Sequence, residues 1–234
     1  MIRKHDAKSI VRYKKTGLTL AEVLITLGII GVVAAMTIPG LLEKNFERRT
    51  VSHLRETQSI LSQAIRMAEE EYGEVEGWGI NGNNQESAEL IFENLKSFIK
   101  VGIDCGVTDT EGKCTILSSY KYLNGGSDTV NYSSSANYYK IKLLNGSSVW
   151  WRGAKGEDYD TYTALFFVDV NGSALPNVLG KDLFCFYLFS GGQGLLTYNK
   201  FQTFGTVEES CNKSSDGWYC AYYVLTNNNM NYLR

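Results

Sequence analysis

Enzymatic equipment is what this chain has least of. It has 234 residues but only two histidines: His5 sits in a basic amino-terminal stretch and His53 in a stretch of helical period, not in a pocket-forming loop. No Gly-x-Ser-x-Gly elbow, HExxH pair, Walker loop or dinucleotide fingerprint occurs. Adjacent acids such as Glu208 and Glu209 give no pair with separated environments that could divide acid and base roles. The five cysteines form no CxxC and have no nearby histidine, which excludes the usual zinc spacings. Catalysis is therefore not expected. Net positive charge is also lacking, at −2 overall, which argues against nucleic acid as a bulk electrostatic partner. Proline is nearly absent, with Pro39 inside an apolar run and Pro176 in a polar loop.

That apolar run organises the chain. Leu18 to Leu42 is 25 residues. As a helix it would reach about 37 Å, more than the roughly 30 Å hydrocarbon core of a bilayer. Its single charge is Glu22, and a carboxylate on a spanning helix is costly enough to mark a function. Before it stand Arg3, Lys4, Lys8, Arg12, Lys14 and Lys15 against one acid, Asp6. The positive-inside rule keeps that end cytoplasmic and sends everything after Leu42 outside as a single-pass protein. Gly28, Gly31 and Ala35 put small residues on one helical face, where another helix could approach. Pro39 with Gly40 should kink or locally melt the helix. An ordinary secretory signal cut near Val33-Ala34-Ala35 fits less well, because Glu22 would lie inside its apolar region and the helical pattern continues past Ala35.

The junction Lys14-Lys15-Thr16-Gly17 followed by Leu18-Thr19-Leu20-Ala21-Glu22 resembles the class III signal of type IV prepilins and type II secretion pseudopilins. The resemblance implies cleavage by a prepilin peptidase between Gly17 and Leu18 and N-methylation of Leu18, a position where the family usually has Phe. It implies a leader over 1–17, a transmembrane and filament-core helix over 18–42 and an extracytoplasmic head over 43–234. It further implies storage in the inner membrane, then assembly with itself and other pilin-like subunits by an inner-membrane platform and an ATPase. Glu22 would set register by pairing with the Leu18 amine of a neighbour, and a helix kink at Pro39 is common in such anchors. Removing the leader leaves 17 basic and 24 acidic residues, a formal charge of −7.

Past the kink, Leu42, Phe46, Leu54, Leu61, Ile65, Ala68 and Tyr72 recur at helical intervals, predicting one amphipathic helix to about Tyr72. Glu69-Glu70-Glu71 reads as its solvated end. A second helix is expected over 87–99. Residues 100–135 have no clear period and read as a surface region. Strands are expected over 138–144 and 148–152, joined at Asn145-Gly146, then over 163–170 and 184–189, with a weaker one over 197–203. Residues 218–225 favour a short helix. A long helix on a small antiparallel sheet is an α+β layering, the pilin-like fold the resemblance also implies.

Four cysteines lie in polar contexts of a segment expected to be exported, where disulfides persist. The expected bonds are Cys105 with Cys114 and Cys211 with Cys220, although spacing leaves connectivity open. Cys185, between Phe184 and Phe186, is expected to be a buried free thiol. In the loop over 169–182, Asp169, Asn171 and Asp182 are candidate ligands for calcium, a hard cation suited to oxygen donors on a turned loop. Major pseudopilins are similar in holding calcium near a sheet edge, though Asp and Asn also cap turns for local reasons. Two functions are compatible with these features. One is a structural subunit of a pseudopilus or type IV pilus. The other is a membrane-anchored binding or adhesion protein using aromatic loops around Trp150, Trp151 and Trp218.

Overall fold

A computed structural model describes residues 17, 19–154, 162–197 and 207–234. Leu18 and the leader residues before Gly17 lie outside that set, as do positions 198–203 of the weakest expected strand. By its internal contacts the chain divides into residues 1–45 and 46–234.

Helix α1 runs over Leu20–Tyr72, with Pro39 inside it and helical residues on both sides. From Leu20 to Leu42 its large apolar side chains are exposed, and the helix is long and apolar enough to cross a membrane. Between Phe46 and Tyr72 the character changes. Glu47, Thr50, Val51, Leu54, Thr57, Leu61, Ala64, Ile65 and Ala68 are buried at intervals of three and four, one stripe turned toward the core. The expected stripe included Leu42 and Tyr72, but both are exposed. It omitted Val51 and the threonines, of which Thr57 donates to Ser147 Oγ at 2.9 Å.

The head is a six-stranded antiparallel meander: β1 Val101–Gly106, β2 Tyr139–Leu143, β3 Ser148–Gly153, β4 Ala164–Asp169, β5 Leu183–Phe189 and β6 Gly194–Leu196, in that order across the sheet. Two helices add to it, α2 over Gln85–Leu95 and α4 over Cys220–Asn227, together with α3, a single turn over Val207–Ser210. Helix α2 begins earlier than expected because the Asn84 side chain accepts from Ser87 N, a cap that fixes the start. Gly153, at the end of β3, is demanded by a close approach, since a Cβ there would lie 2.2 Å from the Gly82 carbonyl oxygen.

Both faces of the sheet are covered, so β4 and β5 are buried along their whole length. Successive residues of a strand point to opposite faces. Trp151 accordingly joins the core under α1 and α2, donating to the Ala88 carbonyl at 3.0 Å, while Trp150 enters a second core with Tyr120, Tyr132 and Phe167. Both indoles are 0% exposed. They are packing residues of a strand, which removes them from the aromatic binding loops that the rival function required.

One expectation needs correction. Residues 100–135 are not simply surface: they open with strand β1, which pairs with β2 through two register shifts, and they deliver Tyr120 and Tyr132 into the second core. Gly102, Asp104 and the lack of a buried alternation along this exposed edge strand hid β1. Among the described residues the last strand is Gly194–Leu196, while positions 198–203 of the weaker expected strand lie outside them.

Lys140 on β2 holds this irregular region down. Its side chain is 0% exposed, and Nζ donates to the carbonyls of Val107 at 2.6 Å, Ser135 at 2.8 Å and Tyr138 at 2.8 Å. Burial lowers its pKa to about 8, with the Asp109 charge pulling the other way. At neutral pH the amine therefore remains an ammonium, with three hydrogens for three carbonyls.

Candidate functional site

The amino-terminal signal is built on the first turn of α1. Thr19 caps it: its Oγ1 accepts from Glu22 N at 3.3 Å, while Glu22 Oε2 accepts from Thr19 N at 2.8 Å and from Thr19 Oγ1 at 2.9 Å. This is a reciprocal capping box, and Thr-x-x-Glu ahead of an apolar run is its sequence signature. The pattern was legible in the sequence, yet attention to the charge on Glu22 hid its local role. Oε1 has no partner among the described residues. The carboxylate thus serves its own helix start through one oxygen and keeps the other available.

Gly17 is exposed, and nothing lies within 4 Å of a Cβ built on it. The same holds for Gly28, Gly31 and Gly40. No intramolecular contact among the described residues requires these glycines to be small, which leaves their surfaces open to a partner. Leu18, the expected methylated residue, lies outside the described residues.

Both disulfides form as expected. Cys105–Cys114 ties β1 to the following loop and Cys211–Cys220 ties the α3 region to α4, while Cys185 is free and buried. Inside the first loop Asp109 accepts from the amides of Lys113, Cys114 and Thr115 at 2.8 to 2.9 Å. Burial pushes that carboxyl up, but the three amides outweigh it and the net direction is down. Asp109 thus has the bonds of a structural anchor.

The loop over 169–182 brings its acids together. Asp169 and Asp182 are both 0% exposed. Asp182 accepts from Asn177 N and Val178 N, each at 2.7 Å, and Asp169 accepts from Tyr120 OH at 2.9 Å and Asn171 N at 3.2 Å. Burial raises both carboxyls, Asp182 to about 6 and Asp169 well above the ordinary carboxylate range, the latter helped up by Asp182 and held down in part by Tyr120, Asn171 and Lys142. Nearby oxygens lack partners: Asn171 Oδ1 and Asn177 Oδ1 in the loop, and Ser148 Oγ on the residue paired with Asp169 across the sheet. Two buried carboxylates beside three orphaned oxygens suit a hard cation, since each carboxylate oxygen retains a lone pair. Asn177 and Ser148 were missed, because only the folded chain leaves their oxygens buried and unpaired.

Among known protein families, residues 12–38 match the prokaryotic N-terminal methylation motif. No curated protein and no solved structure matches the chain. The match covers Arg12, Lys14 and Lys15 of the basic flank, Gly17, the Thr19 and Glu22 capping box and the apolar run through Ile38. This chain carries the methylation motif that is the hallmark of type IV pilins and pseudopilins, on an α+β, pilin-like architecture.

Proposed function

We propose that the chain is a structural subunit of a pilin-like filament, a type II secretion pseudopilus or a type IV pilus. It is stored in the inner membrane with its amino terminus cytoplasmic, processed between Gly17 and Leu18, methylated at Leu18, and stacked through α1 by an assembly platform and ATPase. The observation that carries this reading is the exposed α1 amino terminus. A glycine with nothing beside it, a charged carboxylate with one unused oxygen and a small-residue face together offer three features to partners and none to the chain's own core. In such a stack Pro39 would let the helix bend, since it cannot donate to the Ala35 carbonyl. Mass spectrometry of the protein from its native membrane should find an amino terminus at Leu18 carrying one methyl group. Gly17→Phe should leave the leader attached, because a cut beside a glycine needs close backbone approach. A wild-type protein retaining Met1, or beginning near Met36, would exclude prepilin processing.

Calcium is the second part of the proposal, bound by Asp169 and Asp182 with Asn171, and with Asn177 and Ser148 able to contribute oxygens. The raised carboxyl of Asp182 sets the pH dependence. Its folded pKa lies above the ordinary value, so without metal its contribution to stability is fully present below about pH 4 and is lost as pH rises through about 6. The loss is about 3 kcal/mol by pH 7. A bound cation replaces the protons and removes the penalty where it is largest. Chelator should therefore lower the melting temperature of the detergent-solubilised chain by several degrees at pH 7 and much less at pH 5. Asp169→Asn, which keeps an acceptor for Tyr120, should erase the difference. Asp182→Ala is a poor test, because it also frees two backbone amides. Identical melting with chelator and with calcium at pH 7 would leave these residues as turn caps only.

A further inference from the structure

One rim of the head has the chemistry of a membrane surface site. A cavity of 460 Å³ opens there, lined by Phe46, Arg49 and His53 of α1, the Asn145-Gly146 turn, and Val170 and Leu175 of the β4–β5 connection. Arg49 has no acidic partner among the described residues, and neither does the exposed Arg48 beside it. Lys181 Nζ stands 6.0 Å from the centroid of the Phe46 ring, adding a cation to the same rim. The nearby acid Glu47 is already paired with Arg234 at 3.0 Å. Two exposed leucines accompany this lining: Leu175, at 82% exposure, is part of it, and Leu144, at 71%, immediately precedes the Asn145-Gly146 turn in sequence.

We propose that this rim docks the head onto the anionic phospholipid headgroups of the bilayer while the subunit is stored. Arg49, Arg48 and Lys181 meet lipid phosphates and Leu144 and Leu175 enter the interface. Chain continuity favours a lipid surface: Phe46 follows Leu42 on the same helix by four residues, about 6 Å of rise. Charge along α1 favours it as well. Over residues 43–56 the cations Lys44, Arg48, Arg49 and Arg55 outnumber the acids Glu43, Glu47 and Glu56, and the acidic cluster Glu69, Glu70, Glu71, Glu74 and Glu76 begins twenty residues beyond Arg49, about 30 Å further along the chain, which is several Debye lengths at physiological salt. A head that is acidic in sum thus carries a cationic rim whose first residues follow the apolar segment closely in sequence, and the acidic cluster from Glu69 onward is screened from that rim. Interfacial cations combined with apolar side chains are what anionic bilayers retain.

The proposal rests on the membrane-anchored reading, so the test scores the two separately. The full chain is reconstituted with a nitroxide on Leu175→Cys or Leu144→Cys; Cys185 is buried and the other cysteines are bonded, which directs the label. Vesicles contain either about 30% phosphatidylglycerol or phosphatidylcholine alone. In the anionic vesicles the label should be more accessible to a lipid-soluble relaxant than to a water-soluble one, and the preference should reverse in phosphatidylcholine. Arg49→Glu with Lys181→Glu should reduce the docked population about tenfold or more. A label equally water-exposed in both vesicles, on protein that resists alkaline extraction, overturns docking alone. Failure to resist extraction overturns the anchored reading and docking with it. Protection that rises with protein density at constant lipid composition would assign the rim to a second copy of the chain. Protection by inorganic phosphate in detergent would assign it to a small anion. Either result overturns lipid docking.

Discussion

Glu22→Ala is expected to abolish filament formation while leaving leader removal intact. In a stack of α1 helices the Oε1 that has no partner among the described residues would be open to a neighbouring subunit, and the processed Leu18 amine is the cation the resemblance supplies. Removing the carboxylate leaves that amine uncompensated in an apolar environment, a loss of about 3–5 kcal/mol per subunit when the pair is buried. The same substitution breaks the capping box with Thr19, but a cap contributes only about 1 kcal/mol to one helix end. Glu22→Gln separates the two effects, since the amide oxygen can still accept from Thr19 N but carries no charge. Pelletable or cross-linked polymer should therefore be lost in both variants, with membrane-inserted, processed monomer retained. Polymer in Glu22→Gln at wild-type levels would limit this residue to capping. A lone anchored binding protein predicts the opposite trend, because losing a charge from the spanning segment eases insertion.

Lys140→Met should cost the head about 3–5 kcal/mol, read as a lower denaturant midpoint for the detergent-solubilised chain. Methionine can fill the volume, but it leaves the carbonyls of Val107, Ser135 and Tyr138 without their donor in a site closed to water. The damage should appear first where those carbonyls lie, as faster amide exchange over residues 107–138, with β4 and β5 still protected. Lys140→Arg should not rescue it, because a planar fork cannot converge on three carbonyls as an ammonium does. A midpoint within experimental error of wild type would mean that the two cores hold the segment without its anchor.

How much of this was visible beforehand follows from the range of the interactions involved. The span, the basic flank, the long helix and the Asn145-Gly146 hairpin depend on neighbours a few residues away, and local pattern specifies them. The disulfide pairs were legible for the same reason, since each closes a short loop. Strand β1 was not legible, because its Gly102 and Asp104 have poor intrinsic strand preference and only pairing with β2, more than thirty residues on, makes them one. Trp150 and Trp151 show the limit on the functional side. Adjacent aromatics in a sequence suit a binding loop as well as a strand, and their assignment to two separate cores depends on what covers each face.

The Asp169 and Asp182 loop and the cationic rim mark the same division. Residue types alone nominated Asp169, Asn171 and Asp182. Whether their oxygens are spent on turns or left orphaned in the interior depends on Tyr120 and Ser148, which reach the loop from distant parts of the chain, and on the path of the loop itself, which buries Asn177 Oδ1. Arg49, Lys181 and Leu175 lie as far as 132 residues apart in sequence and form one surface only after the sheet has closed against α1. Hydropathy and local charge along the chain were enough to specify the export signal and the anchoring helix, because a bilayer and a peptidase read a linear segment. The proposed sites on the head depend on folding, because burial and the convergence of charges are properties of the packed chain.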